Sequence, residues 1–322
     1  MAAWNAAPVV LFVPKLVISN GIIHEAAMAS CSSSDECMVP LANTLLDTLM
    51  AEDAPFGDLT TRALGIGQRM GVMTFTARHE QVVCCTEDVA ALLTRLGLDT
   101  ETVTGSGIRV APGQVLLRAR GMAGALHLGW KVSQTLLEWA GGIATETHDI
   151  VMAARHVDGA STPEVAVACS RKTPPLTRAI AMRAVLAGGG IMHRTGLSDT
   201  ILVFAEHLAF MDPGRGMNDV VLRLRKNAPE RRIAIEVSDV ATATAAARAG
   251  AEALQLEKLS PDEVRRLCVD LAAAKLSPNI IVAGGINSIN VDQYVKAGAH
   301  VIVTSAPYSA KPRDVQVGIS AV

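Results

Sequence analysis

From about Glu164 onward one pattern repeats, and it leaves few folds open. Short apolar runs, EVAVAC (164–169), ILVF (201–204), IAIEV (233–237), ALQLE (253–257), IIVAG (280–284) and VIVTS (301–305), recur. Between most of them lie Ala-rich or amphipathic helical segments such as DVATATAAARAG (239–250) and SPDEVRRLCVDLAAAK (260–275). Strands that alternate with helices at this spacing run parallel, and continuously apolar strands are buried on both faces. The second half is therefore expected to be a barrel-like α/β domain, with its ligand site at the carboxyl ends of the strands.

The first half is more mixed. LANTLLDTLMAED (41–53) has helical spacing and is broken by Pro55 and Gly57. GVMTFTA (71–77), QVVCC (81–85) and QVLLRAR (114–120) read as strands, and TEDVAALLTRLG (86–97) as a helix with a Thr cap. A long helix is expected over 123–139, with GGIATETHDIVMAARH (141–156) beginning the next. The expected organisation is an extension at 1–38, unstructured or extraneous, an N-terminal α/β sandwich at 39–150, and an incomplete (β/α) TIM-like barrel at 151–322. The last residues are expected to pack back on the first domain.

Composition narrows the function. A net charge of -2 over 322 residues, with 19% charged and 50% hydrophobic residues, excludes a broad basic face for nucleic acid or a membrane surface. Any anion site must be local. The apolar stretch PVVLFVPKLVI (8–18) is too short to span a bilayer and is interrupted by Pro14 and Lys15. The six cysteines, Cys31, Cys37, Cys84, Cys85, Cys169 and Cys268, form no CxxC pair and read as reduced, which fits a cytoplasmic protein.

The residues just beyond each apolar run are polar in a way a purely structural barrel does not need. Arg171, Lys172, His193 and Arg194 form a cationic group at two strand ends beside Gly188, Gly189 and Gly190, which suggests an anion site whose backbone a ligand approaches closely. The bland reading is that loop cations are simply solvated. Glu206 and His207 come after the second run. Glu236 and Glu257 end consecutive strands and would hold sugar hydroxyls or a divalent metal; otherwise they are salt-bridged to Lys258 or an arginine. AGGIN (283–287) is expected to open a helix and cradle a phosphate, with TSAP (304–307) as the other wall. His127, His148 and His156 lack metal-ligand spacing and read as structural. No nucleophile elbow, Walker loop or dinucleotide fingerprint is present.

The motifs EDAPFGDLTT, GGIATETHD, SRKTPPLTR, AVLAGGGIMHRTGLSD, IEV, AGAEALQLEK and AGGIN occur in the order found in quinolinate phosphoribosyltransferases, and span nearly everything from Met38 onward. Within that superfamily the chain resembles most the ModD branch, pyrophosphorylase-like members associated with molybdenum utilisation. The resemblance implies a homodimer with shared active sites that joins a nitrogenous acid to phosphoribosyl pyrophosphate (PRPP), carried as its Mg²⁺ complex, and releases pyrophosphate. It implies that Arg171 and Arg194 bind the substrate carboxylate and that Lys172 and His193 line the join between acceptor and donor. Glu236 and Glu257 would face the ribose or its Mg²⁺. Ala283, Gly284, Gly285, Thr304, Ser305 and Ala306 would hold the 5-phosphate.

Three substitutions depart from the family pattern. An arginine before GIAT, offered by the neighbouring subunit, is Lys131 here, and a lysine of the motif IKxNH is Phe204, with Glu206 in place of its Asn. Lysine lacks the planar fork that grips a carboxylate in two bonds. The acceptor is thus expected to differ from quinolinate. An ordinary quinolinate phosphoribosyltransferase of NAD synthesis and a non-catalytic anion-binding protein stay open as alternatives.

Overall fold

The computed structural model describes residues 39–155, 165–212, 214 and 216–322. The extension at 1–38, with Cys31 and Cys37, and His156 lie outside the described residues.

The chain opens with α1 (Asn43–Asp53) and α2 (Leu59–Ala63), the latter capped by Asp58, whose side chain accepts from the Thr60 and Thr61 amides. Then come β1 (Met70–Ala77), β2 (Gln81–Val82), α3 (Thr86–Arg95), β3 (Asp99–Thr102), β4 (Arg109–Val110) and β5 (Val115–Met122). Only the first two residues of the expected QVVCC strand pair, with β4. Thr86 is not the cap expected of it: Cys85, at φ 66, precedes the helix, and Asp88 instead accepts from the Leu41 amide.

A single helix, α4 (Ala123–Arg155), follows where two were expected. Gly141 and Gly142 do not break it because they are close-approach points. A Cβ on Gly142 would lie 2.5 Å from the Lys311 carbonyl oxygen, and one on Gly141 would lie 2.7 Å from Gln81 Oε1. Tertiary packing thus overrides the low helix propensity of the pair.

The second half comprises β6 (Ala166–Cys169), α5 (Arg178–Ala187), β7 (Ile191–Met192), β8 (Ile201–Val203), α6 (Ala205–Leu208), α7 (Met217–Asn227), β9 (Ile233–Val237), α8 (Val240–Arg248), β10 (Ala253–Glu257), α9 (Pro261–Ala273), β11 (Asn279–Ala283), α10 (Val291–Ala297), β12 (Val301–Thr304) and β13 (Val315–Ala321). Ser260 and Glu263 form a capping box at the start of α9.

Seven parallel strands form one open sheet in the order β7-β6-β12-β11-β10-β9-β8, the incomplete barrel expected. The second sheet is β13-β1-β5-β3, whose described pairings are antiparallel; β13 returns to pair with β1 over Val315–Ala321. α4 packs between the two, with Leu126, Leu136 and Ile143 in the core of the antiparallel sheet and Ile150 and Val151 in that of the parallel sheet.

The inner face of the barrel is graded. Ala168, Ala253, Ile281, Ala283 and Val303 form a small apolar layer, and one strand step along lie Glu236, Gln255 and Glu257. Because side chains alternate across a strand, Ala253, Gln255 and Glu257 share one face of β10, and Gln255 sits opposite Glu236 in the ladder. The polar groups therefore gather at the carboxyl end.

Candidate active site

A cavity of about 620 Å³ opens at that end, and the residues expected at the site from sequence line it except Lys131 and the glycines Gly188, Gly189 and Gly190. Two elements supply the cations. β6 ends at Cys169, and Ser170 continues the ladder through a 2.8 Å bond to the Thr304 carbonyl, placing Arg171 and Lys172 at the rim. Tyr308 Oη donates to the Ser170 carbonyl at 2.7 Å and fixes that turn from the opposite side. The chain after β7 brings His193 and Arg194, with the His193 amide bonded to the Cys169 carbonyl.

The cationic stretch divides by role. Arg183 does not face the cavity: it is buried among Asp88, Glu87 (3.0 Å) and the Val39 carbonyl (2.9 Å), tying α5 to α3. His193 is not a cation at neutral pH, since burial, with Arg194 and Arg171 beside it, lowers its pKa to about 4. The glycines do not face the cavity either. A Cβ on Gly188 would meet the Ala144 carbonyl oxygen at 2.5 Å, and one on Gly190 would meet Thr147 Cγ2 at 2.7 Å. They permit α5 and β7 to close on α4 rather than giving a ligand access to the backbone, as was expected of them.

Arg194 is 7% exposed, and its guanidinium carbon lies 5.7 Å from the centroid of the Phe204 ring. Phe204 is itself held by His207: the rings stack at 5.6 Å and 24°, and the Phe204 amide donates to His207 Nδ1 at 2.9 Å. That bond requires an unprotonated Nδ1.

On the other side stand the acids. Gln255 Nε2 donates to Glu236 Oε2 at 2.5 Å, while the buried Gln255 Oε1 has no partner among the described residues. Burial pushes the Glu236 carboxyl above its ordinary value, and Glu257 and Glu206 push the same way, against the Gln255 bond and Lys172. Glu257 and Lys258 approach only to 4.0 Å, and Lys258 is 76% exposed, so this ion pair contributes little. Gln255 escaped the sequence reading; its signal was a polar residue within an apolar strand, two positions before Glu257.

The glycine turn after β11 differs from expectation. Gly284 (φ 97) and Gly285 (φ 75) line the cavity, but α10 starts only at Val291, so AGGIN does not open a helix. Asn287 and Asn290 close the intervening loop on itself, with Asn290 Nδ2 donating to the Gly285 carbonyl at 3.1 Å. A side chain on Gly284 would collide with Lys258 Cγ at 2.5 Å. The Thr304 hydroxyl donates to the Ile286 carbonyl and accepts from the Ala306 amide, so it braces the wall, leaving Ser305 as the hydroxyl side chain that comes next along the cavity.

Lys131 lies apart. Its Nζ sits 4.4 Å from the Trp130 ring centroid and donates to Gln134, in a second cavity shared with Asp58, Thr61 and His127. There the Thr61 hydroxyl bridges Asp58 and His127 Nδ1, the latter at 2.7 Å. Among the described residues no cluster of three or more His, Cys, Asp or Glu forms a metal cage. Glu236 and Glu257 alone fit a hard cation held mainly by substrate oxygens and water.

Residues 143–318 match the family model described as quinolinate phosphoribosyl transferase, C-terminal domain, and residues 58–141 match its N-terminal domain. The chain is 46% identical over 253 residues to the protein of Rhodobacter capsulatus named "Putative pyrophosphorylase ModD", covering 79% of this chain and 95% of that one. A protein of the same name from Escherichia coli O157:H7 is 37% identical, covering 88% and 98% respectively. Among solved structures, the nicotinate-nucleotide pyrophosphorylase of Ehrlichia chaffeensis superimposes with a TM-score of 0.77 at 23% identity, covering 88% of this chain and all of that one, a likeness of fold.

Proposed function

The chain belongs to the quinolinate phosphoribosyltransferase family, and from that premise we propose that it transfers phosphoribosyl from PRPP to a nitrogenous acid other than quinolinate, releasing pyrophosphate. It is a pentosyl-transferring enzyme of ModD type. One observation carries the proposal: cations from β6 and β7 and acids from β9 and β10 converge on one cavity beside a glycine turn.

The chemistry demands such a division. As the C1–O bond to pyrophosphate breaks, its electron pair leaves with the pyrophosphate and C1 becomes oxocarbenium-like, while the acceptor nitrogen bonds to C1 through its lone pair. Glu236 and Glu257 lie where positive charge on the ribose develops. Lys172 would meet the departing anion, and Arg171 and Arg194 would take the carboxylate of the acceptor. His193, held neutral, offers a hydrogen bond at the join without adding charge. Gly284, Gly285 and Ser305 form the pocket for the 5-phosphate. Mg²⁺ would enter with PRPP and screen its pyrophosphate, with Glu236 and Glu257 as its protein contacts.

The protein works as a homodimer, Lys131 completing the partner's cavity, in the cytoplasm, and in a process linked to molybdenum utilisation. The separation of Lys131 from the cavity within one chain supports the first of these. Among the described residues no helix is long and apolar enough to cross a membrane.

The test is pyrophosphate release from PRPP and Mg²⁺ across a panel of nitrogenous acids. Release with at least one acid other than quinolinate is expected. Efficient formation of nicotinate mononucleotide from quinolinate would instead assign the chain to NAD synthesis, and the absence of release with every acid, together with tight binding of molybdate, would make it an anion-binding protein.

A further inference from the structure

We propose that Tyr308 is a positioning residue for the transfer: acting through Ser170, it sets Lys172 against the departing pyrophosphate. The proposal rests on the phosphoribosyl-transfer reading above and adds a residue outside the motifs read from the sequence.

Lys172 needs such support. It lies between β6, which ends at Cys169, and α5, which starts at Arg178, in a segment with no helix or strand of its own. It is exposed, yet its charge acts on Glu236 across the cavity. An ammonium on a loose loop gives up much freedom when it meets an anion, and one whose backbone is already fixed gives up less.

Ser170 supplies the fixing, because all three of its polar groups are engaged. Its amide donates to the Thr304 carbonyl at 2.8 Å, its hydroxyl oxygen accepts from the Lys172 amide at 3.3 Å, and its carbonyl accepts from Tyr308 Oη at 2.7 Å. The first bond prolongs the β6–β12 ladder, in which Cys169 pairs with Thr304. The second carries the constraint to Lys172. The third comes from outside the ladder and needs a phenol. Tyr308 is 9% exposed and packs in the core of the antiparallel sheet, so its hydroxyl starts from a fixed ring. Burial pushes the phenol above its ordinary pKa, which keeps it a donor at neutral pH. Phenylalanine would fill the same core, so packing alone does not call for the hydroxyl.

The same geometry separates two anion subsites. Tyr308 belongs to the turn Ala306–Ser309, but that turn is held by the Tyr308 amide on the Ser305 carbonyl at 3.1 Å and by the Thr304 hydroxyl on the Ile286 carbonyl. Neither bond involves the phenol. Removing the hydroxyl therefore loosens the turn before Lys172 and leaves the wall of the 5-phosphate pocket in place.

The test is calorimetric titration of the full chain and of Tyr308→Phe with PRPP, ribose 5-phosphate and inorganic pyrophosphate, each with Mg²⁺, alongside thermal melts. Tyr308→Phe should weaken PRPP and pyrophosphate by about threefold to tenfold, the worth of one hydrogen bond, while ribose 5-phosphate changes by less than about twofold. Its kcat for pyrophosphate release should fall with the first two. Ser170→Ala, which removes the oxygen that holds the Lys172 amide, should give the same selective loss, and the double variant should lose no more than either alone, because both act on one path. Equal weakening of all three ligands, unchanged binding of all three whatever the melting temperature, or additive losses in the double variant overturns the positioning role alone. Failure of the parent chain to bind PRPP, with no pyrophosphate released from any acid, overturns the transferase reading beneath it.

Discussion

Gln255 and Glu236 face each other across adjacent parallel strands, and the 2.5 Å bond from Gln255 Nε2 to Glu236 Oε2 fixes the carboxylate at the mouth of the barrel. Gln255 is 5% exposed, so its amide is held by packing and acts as a positioning group. Gln255→Leu should lower kcat/KM for PRPP by about tenfold to a hundredfold, the worth of a hydrogen bond to a charged group. It should also raise the Mg²⁺ concentration needed for half-maximal rate. Steady-state kinetics with Mg²⁺ varied would check both; a change in thermal stability without either effect would make the pair merely structural.

Glu236 also makes stability depend on pH. Its folded-state pKa is raised, so its favourable contribution is complete below the ordinary value of 4.5 and is lost as pH rises through the folded value. Glu236→Gln should therefore melt at a higher temperature than the parent at about pH 8, and the difference should vanish near pH 4. The same variant should lose activity, since a neutral amide cannot stabilise a developing cation.

His193 has the opposite sign. Its pKa falls from 6.5 to about 4, so between those values the unfolded chain takes up a proton that the folded chain refuses, and stability falls as pH falls through that window. His193→Gln should reduce this acid loss by about 1–3 kcal/mol, allowing for solvent screening. Denaturant melts at the two ends of the window measure it. Added PRPP should raise the His193 pKa, because polyanions favour imidazolium, and imidazole proton chemical shifts would track that rise.

The apolar runs made six of the seven strands of the parallel sheet legible, all but the two-residue β7, because parallel strands buried on both faces leave little other use for such segments. Strand-end position made Arg171, Lys172, Glu236 and Glu257 legible as one site, since a fixed strand period places the residues at the end of every run on the same rim. Roles set by packing were not legible. Gly188 and Gly190 read as ligand contacts in the sequence and are helix contacts in the fold; Arg183, between the two cationic pairs in sequence, is a buried tie to Asp88. Gly141 and Gly142 read as a helix break. In each case the deciding neighbour, Ala144, Asp88 or Lys311, is distant in sequence, so no local pattern could announce it.

The packing role of the glycine run makes its own prediction. Gly188→Ala drives a methyl into the Ala144 carbonyl and Thr147, and should cost about 1–3 kcal/mol of stability. PRPP affinity of the folded variant should be unchanged. Lower affinity at unchanged stability would return these glycines to the ligand site.

Shared sites in a homodimer predict complementation. Lys131→Met and Lys172→Met chains should each be nearly inactive alone. Mixed and refolded together, they should regain up to about a quarter of the parent rate, because half the dimers are hybrids and each hybrid holds one intact site. No recovery would place Lys131 outside the partner's cavity.

The most direct measurement is calorimetric titration of PRPP with Mg²⁺ into the parent chain and into the Lys172→Met, Glu257→Gln double variant, which removes one charge from each side of the cavity. Saturable binding near one molecule per chain in the parent, weakened by about tenfold or more in the variant, is the predicted result. Absence of saturable binding in the parent, or equal binding in both, would contradict a phosphorylated pentose seated between the cations of β6 and the acids of β9 and β10.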